Sequence, residues 1–286
     1  MRILIPLAIA MCAAAQEAPK AHFHHIHLNT TDPAAAIKFY TGKFNCEKSS
    51  YRGAPAVWTQ KSWILFSRVK EAPPAEIVSA IWHFGWGAED MPAAYREQLD
   101  SGTKFQTPLT DISGLVGKPP GNFFFAYVDG PDHALIEMNT AAHHRFGHIH
   151  LLSEDPVAAG EWYKKYFGMT GFIGKEPRVF KGVHVAPVAS LNLDNVNFII
   201  FPIEYARDAM PDLWKGRKGF EPTEGRVVDH IAFSVDNMTE MLDRLSKDGI
   251  KYAAAGNGLG KPRTTAWITG PDRVRIELVE GQASEE

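Results

Sequence analysis

The sequence predicts an α+β fold built from four repeated units, each reading as a strand, a helix and then further strands. Three observations carry that expectation. The stretch His25-Ile26-His27-Leu28-Asn29-Thr30-Thr31-Asp32-Pro33 returns as His148-Ile149-His150-Leu151-Leu152-Ser153-Glu154-Asp155-Pro156. A second stretch, His83-Phe84-Gly85-Trp86, returns as His230-Ile231-Ala232-Phe233. Each half then ends on a matching hairpin, Gly130-Pro131-Asp132 through Ile136-Glu137 and Gly270-Pro271-Asp272 through Ile276-Glu277. The units therefore run A, B, A′, B′ along the chain.

The A units open with a short strand that ends in Asp-Pro. That pair suits a helix start, because Asp accepts backbone hydrogen bonds and proline tolerates the first turn. Phe39, Tyr40 and Phe44 follow at helical spacing, and Trp162, Tyr163 and Phe167 repeat them. Further strands are expected at 56–58, 62–69, 183–188 and 197–202. In the B units Gly102 and Gly249 mark helix ends, where a left-handed residue is needed. Loops are expected over 107–121 and 205–226, and the second is long enough to cover a site. The two halves join near residues 140–144.

The chain has 286 residues, of which 45% are hydrophobic and 22% charged, with a formal net charge of -3. These values suit ordinary globular cores and give no basic excess for nucleic acid. One basic residue, Arg2, precedes a short apolar run that ends in Ala13-Ala14-Ala15. This is the pattern of a secretory signal over residues 1–15, which implies a secreted or periplasmic protein. The run is too short to span a bilayer, so no membrane association is expected once it is removed. Cleavage leaves Cys46 as the single cysteine, so no internal disulfide is available.

These repeats resemble the vicinal-oxygen-chelate superfamily, which includes glyoxalase I, the fosfomycin- and bleomycin-resistance proteins and extradiol dioxygenases. The likeness rests on the first-strand histidine followed by Asp and a Phe-Tyr or Trp-Tyr helix, and on the Gly-Pro-Asp hairpin ending in Ile-Glu. It covers nearly all of the mature chain. The resemblance implies βαβββ modules paired into two cupped, barrel-like domains, at 21–140 and 145–281. It also implies that first-strand histidines and a last-strand glutamate hold a divalent metal. Carried over, that gives His25, His83 and Glu137 in the N-terminal half, and His148, His230 and Glu277 in the C-terminal half. The matching last-strand positions of the A units, in Trp63-Ile64-Leu65-Phe66 and Phe198-Ile199-Ile200-Phe201, are apolar. Three ligands per site are therefore expected.

Two imidazoles and one carboxylate leave several positions open, which suits Fe(II) or Mn(II) first and admits Zn(II) or Ni(II). His27 and His150 follow the ligands by two residues and share their strand face, as acid-base or supporting groups. Alternation puts His24 on the opposite face. His184, on an A′ strand, is a further acid-base candidate, and Tyr127 stands where extradiol dioxygenases carry an active-site tyrosine. Three functions remain open at this stage. The first is an extradiol-like non-haem Fe(II) oxygenase acting on a small molecule with vicinal oxygens. The second is a lyase, isomerase or group transferase using Mn, Zn or Ni as Lewis acid. The third is a ligand-sequestering protein of the bleomycin-resistance type. A small-molecule substrate is the expected partner, and a homodimer is compatible with the family.

Overall fold

The computed structural model describes residues 21–255 and 265–281, so the expected signal segment at 1–15 lies outside the described residues. The first module runs β1 (Ala21–Thr30), α1 (Pro33–Lys43), β2 (Glu47–Tyr51), β3 (Ala54–Trp58) and β4 (Trp63–Arg68). The second runs β5 (Ile81–Ala88), α2 (Met91–Asp100), β6 (Phe105–Asp111), β7 (Phe124–Asp129) and β8 (Leu135–Thr140). The third runs β9 (Phe146–Ser153), α3 (Pro156–Phe167), β10 (Thr170–Phe180), β11 (Val183–Leu193) and β12 (Val196–Pro202). Two helices follow, α4 (Ile203–Ala209) and α5 (Pro211–Trp214), in a stretch the sequence reads as loop. The fourth module runs β13 (Val228–Val235), α6 (Met238–Lys247), β14 (Tyr252–Ala255), β15 (Thr265–Thr269) and β16 (Arg275–Glu280).

The helix starts form as their caps dictate. The Asp32 carboxylate accepts from the Ala34 and Ala35 amides, and Asp155 accepts from Val157 and Ala158. Gly102 and Gly249 end α2 and α6 at φ +78° and +75°. A residue with a Cβ is disfavoured at that angle, so glycine is the natural terminator there.

The strands form two eight-stranded sheets, and these do not follow the two halves of the sequence. One sheet has the order β14-β15-β16-β13-β1-β4-β3-β2, and the other β10-β11-β12-β9-β5-β8-β7-β6. The first module thus shares a sheet with the fourth, and the second with the third. The expected cups at 21–140 and 145–281 are re-partnered. Connection length gives the reason. Residues 141–145 alone join β8 to β9, and so short a link keeps β9 antiparallel beside β5. The longer segments 69–80 and 203–227 can cross from one sheet to the other. Neither sheet closes into a barrel: both are curved, with β2 and β14 at the edges of one and β6 and β10 at the edges of the other.

Sequence-adjacent modules still touch through the Gly-Pro-Asp turns. Thr31 Oγ1 donates to Asp132 at 2.8 Å, and the Glu154 amide donates to Asp272 at 2.9 Å. A single apolar core joins the two sheets. Phe44, at the end of α1, stacks on Trp86 of β5 with centroids 4.3 Å apart, and Phe167 of α3 stacks on Phe233 of β13 at 4.0 Å. Each helix therefore packs its last aromatic ring on a strand of the other sheet. Such pairs add about 0.5–1.5 kcal/mol beyond the area they bury.

Candidate metal centres

All four module-opening strands carry a β-bulge immediately before a histidine. In β1 the pairing steps from Phe23 opposite Phe233 to His25 opposite Ala232, which leaves His24 as the extra residue. In β13 it steps from His230 to Val228 across from His27 and Leu28, which leaves Asp229. The same steps in β5 and β9 leave Trp82 and Gly147. A bulge re-aims the neighbouring side chain and breaks strict alternation. His24 accordingly joins the histidine face, and the alternation expected from sequence fails at that residue.

In the first sheet three donor atoms converge. His25 Nε2 lies 3.2 Å from His230 Nε2, and the two stand 3.4 and 3.5 Å from Glu277 Oε2. Donors about 2.1 Å from one ion stand roughly 3.0 to 3.4 Å apart at right or tetrahedral angles, so this spacing fits a small divalent cation. The far side of each ring is held. His230 Nδ1 lies 2.6 Å from Asp229 Oδ1, and His25 Nδ1 lies 2.8 Å from His24 Nδ1. A carboxylate can only accept, so a neutral His230 carries its proton on Nδ1 and turns the Nε2 lone pair to the centre. Asp229 is itself fixed by Arg275 Nη1 at 2.7 Å, the Gly225 amide at 2.7 Å and Asn29 Nδ2 at 3.2 Å. His27 stacks on His230 with centroids 4.5 Å apart, bonds Ser67 Oγ at 2.8 Å, and places a ring nitrogen within 4.8 Å of those of His25 and His230.

The second sheet repeats the arrangement with different surroundings. His83 Nε2 lies 2.9 Å from Glu137 Oε2, His148 Nε2 lies 3.7 Å from Glu137 Oε1, and His150 Nδ1 lies 3.2 Å from His83 Nε2. Asn139 Nδ2 donates to Glu137 at 2.8 Å. Aromatic rings replace the polar supports. Trp82 packs on His83 and His150, Phe201 on His150, and Tyr127 on His83. Tyr205 of α4 packs on Trp82 at a tilt, with centroids 4.5 Å apart. His83 Nδ1, His148 Nε2 and His150 Nε2 are buried without a hydrogen-bond partner among the described residues. Unpaired buried nitrogens cost free energy, and His148 Nε2, which faces Glu137, is the one of the three that a cation at this centre would satisfy.

Residues 22–138 match the model of the Glyoxalase/Bleomycin resistance protein/Dioxygenase superfamily. Those residues are similar to a domain of this superfamily. The matched stretch holds β1 to β8, two modules that lie in different sheets. Among solved structures, glyoxalase I from Zea mays aligns over 91% of this chain and 92% of its own, with TM-score 0.66 at 16% identity. A putative dioxygenase from Bacillus subtilis subsp. subtilis str. 168 aligns over 92% of this chain and 86% of its own, with TM-score 0.62 at 14% identity. At these identities the likeness is one of fold. No curated protein matches the sequence.

Against that superfamily frame, the six residues expected as metal donors do meet, but in exchanged sets. His25 meets His230 and Glu277, and His83 meets His148 and Glu137. The expected sets of His25 with His83, and of His148 with His230, are corrected, because the partner strands belong to different sheets. His27 joins the first centre, while His150 and Tyr127 join the second. His184 joins neither cluster: its ring bonds Asp208 of α4 at 2.6 Å, and its side chain is 43% exposed. It ties α4 to β11. His24, Asp229, Arg275 and Trp82 were missed. The adjacent pairs His24-His25 and Asp229-His230 were the available signal, masked by the bulges.

Burial keeps three of the clustered imidazoles neutral. It holds His25 and His148 down to about 4, and His83 well below its ordinary value. Neutral rings are the form that ligates a cation. Burial pushes Glu277 up, yet its hydrogen bonds with His230 and His25 outweigh this and leave it well below the usual carboxylate range. Tyr127 is pushed well above its ordinary value by burial and by Glu137, so its hydroxyl stays protonated.

Proposed function

We propose that this protein is a divalent-metal-dependent enzyme acting on a small molecule with vicinal oxygens, and that the His25–His230–Glu277 centre carries the reaction. One observation supports this above the others: three donors 3.2 to 3.5 Å apart, with the outer nitrogen of each histidine held by another side chain. His24 and Asp229 fix ring orientation, and Glu277 supplies the charge. A divalent ion there would supply Lewis acidity and, as iron, access to redox chemistry with dioxygen.

The three-donor set favours an extradiol-like oxygenase using Fe(II), or Mn(II), because it leaves room for both a bidentate substrate and a second reactant. The Lewis-acid alternative, a lyase, isomerase or transferase using Mn, Zn or Ni, is favoured by His27. That ring brings a fourth nitrogen to the same centre.

Metal content tests the centres. The parent is expected to hold about two equivalents. Joint replacement of His25 and His230 by alanine removes one, and joint replacement of His25 and His83 removes both. Loss of both in the first variant would overturn the sheet pairing, and no metal in the parent after reloading would overturn the enzyme reading. Oxygen uptake by anaerobically iron-loaded protein with a panel of catechols tests the oxygenase. Turnover that proceeds equally without oxygen would transfer the assignment to the Lewis-acid reading. We also propose export, from the pattern of residues 1–15. N-terminal sequencing of the protein from its native cells would show a start after Ala15, and an intact Met1 would refute it.

A further inference from the structure

We infer that Arg275 makes the His25–His230–Glu277 centre selective for substrates that carry a carboxylate beside their vicinal oxygens. This rests on the proposed function and specifies its substrate class. Arg275 lies two residues before Glu277 on β16, on the same strand face and about 7 Å along it. Its guanidinium carbon lies over Trp267, 4.0 Å from the ring centroid, and His230 packs edge-on against the same ring at 4.7 Å. This cation–π contact holds the fork beside the centre.

The protein uses only part of that fork. Nη1 meets Asp229 Oδ1 at 2.7 Å and the largely exposed Glu224 at 3.4 Å, and no bond to Nε or Nη2 is found among the described residues. Asp229 shares its single charge among four donors, His230, Arg275, Gly225 and Asn29, so it neutralises Arg275 incompletely. The side chain is 31% exposed, open to a ligand yet held. A guanidinium with free N–H groups on one edge suits a carboxylate, which it can grip by two parallel hydrogen bonds. The other centre lacks this group. Leu135 stands two residues before Glu137, with Tyr127 at the position of Trp267.

The test compares 3,4-dihydroxybenzoate with catechol by titration calorimetry on metal-loaded protein whose second centre is disabled by His83→Ala. Both probes offer two vicinal oxygens, and only the first carries a carboxylate. A charged hydrogen-bonded pair predicts at least roughly ten-fold tighter binding of the acid. Arg275→Gln is expected to bring the ratio near one, and Arg275→Lys to keep part of it, each titrated at metal concentrations that saturate the His25–His230–Glu277 centre, because Arg275 also holds Asp229. Equal binding of the two probes to the Arg275 protein, or a ratio that survives in Arg275→Gln, would overturn the inference. Failure of the underlying reading looks different: the protein would hold no metal, or would bind neither probe.

Discussion

Gly85 offers the sharpest test of the second centre. It lies opposite His148 on β9 and beside Glu137 on β8. A Cβ at this position would stand 2.2 Å from the Glu137 carbonyl oxygen, 2.3 Å from His148 Cε1 and 2.8 Å from His148 Nε2. The first of these is backbone and cannot swing aside. Gly85→Ala must therefore push β8 away or expel the His148 ring, and either change separates His148 from Glu137. Overpacking of this kind costs about 1–3 kcal/mol. At roughly 2–4 °C per kcal/mol for a chain of this size, the melting temperature should fall by about 2–12 °C. The equivalent residue in the other sheet is Ala232, opposite His25 and beside Glu277, where a methyl group is already present. The effect is thus confined to one centre. Mass spectrometry of bound metal, run beside calorimetric melting, should show one equivalent lost in Gly85→Ala and the His25–His230–Glu277 centre still loaded. A variant that keeps both equivalents at parental affinity and melts unchanged would refute the argument that the missing side chain makes room for His148.

Other outcomes follow from the same structure. Asp229→Asn should weaken metal binding at the His25–His230–Glu277 centre by roughly 10- to 100-fold, as loss of a ligand-orienting carboxylate does, measured by chelator competition with the other centre unaffected. Metal-free protein should lose stability on acidification. His25 and His148 sit near 4 when folded against an ordinary 6.5, so the unfolded chain binds more protons between those values. Stability from these rings is complete above pH 6.5 and lost as pH falls towards 4, by roughly 3 kcal/mol per ring. Denaturant melts at pH 7.5 and 4.5 check this, and equal midpoints would contradict it. His184→Ala should leave both metal equivalents in place and cost no more than about 1 kcal/mol, since its pair with Asp208 is partly exposed. Loss of metal in that variant would place His184 at a centre after all.

Much of this architecture was legible in the chain. The Asp-Pro helix starts, the glycine helix ends and the Gly-Pro-Asp turns are local features, and local sequence specifies them. The metal-type residues stood out because four histidines and two glutamates recur at matched positions. Module pairing was not legible from the repeats, because every module offers the same first-strand edge to every other. Connection lengths decide between partners, and segments 141–145, 69–80 and 203–227 held that information. The bulges were hidden for a different reason. His24, Trp82, Gly147 and Asp229 share no residue type, so nothing in composition marks them as one structural position. Yet they differentiate the centres. Asp229 and His24 give one a hydrogen-bonded surround, while Trp82, and Gly147 with no side chain, give the other an aromatic one.

The exchange of modules between sheets also sets an order of events during synthesis. The sheet holding His83 and His148 has all its strands once residue 202 has left the ribosome. The sheet holding His25 and His230 cannot be finished until β16 is made, so the first module waits for nearly the whole chain. During that interval the β1 edge that later pairs with β13 is unpaired, and an open edge is where a nascent chain is prone to join the wrong neighbour. The first centre to be encoded is therefore the last to be assembled.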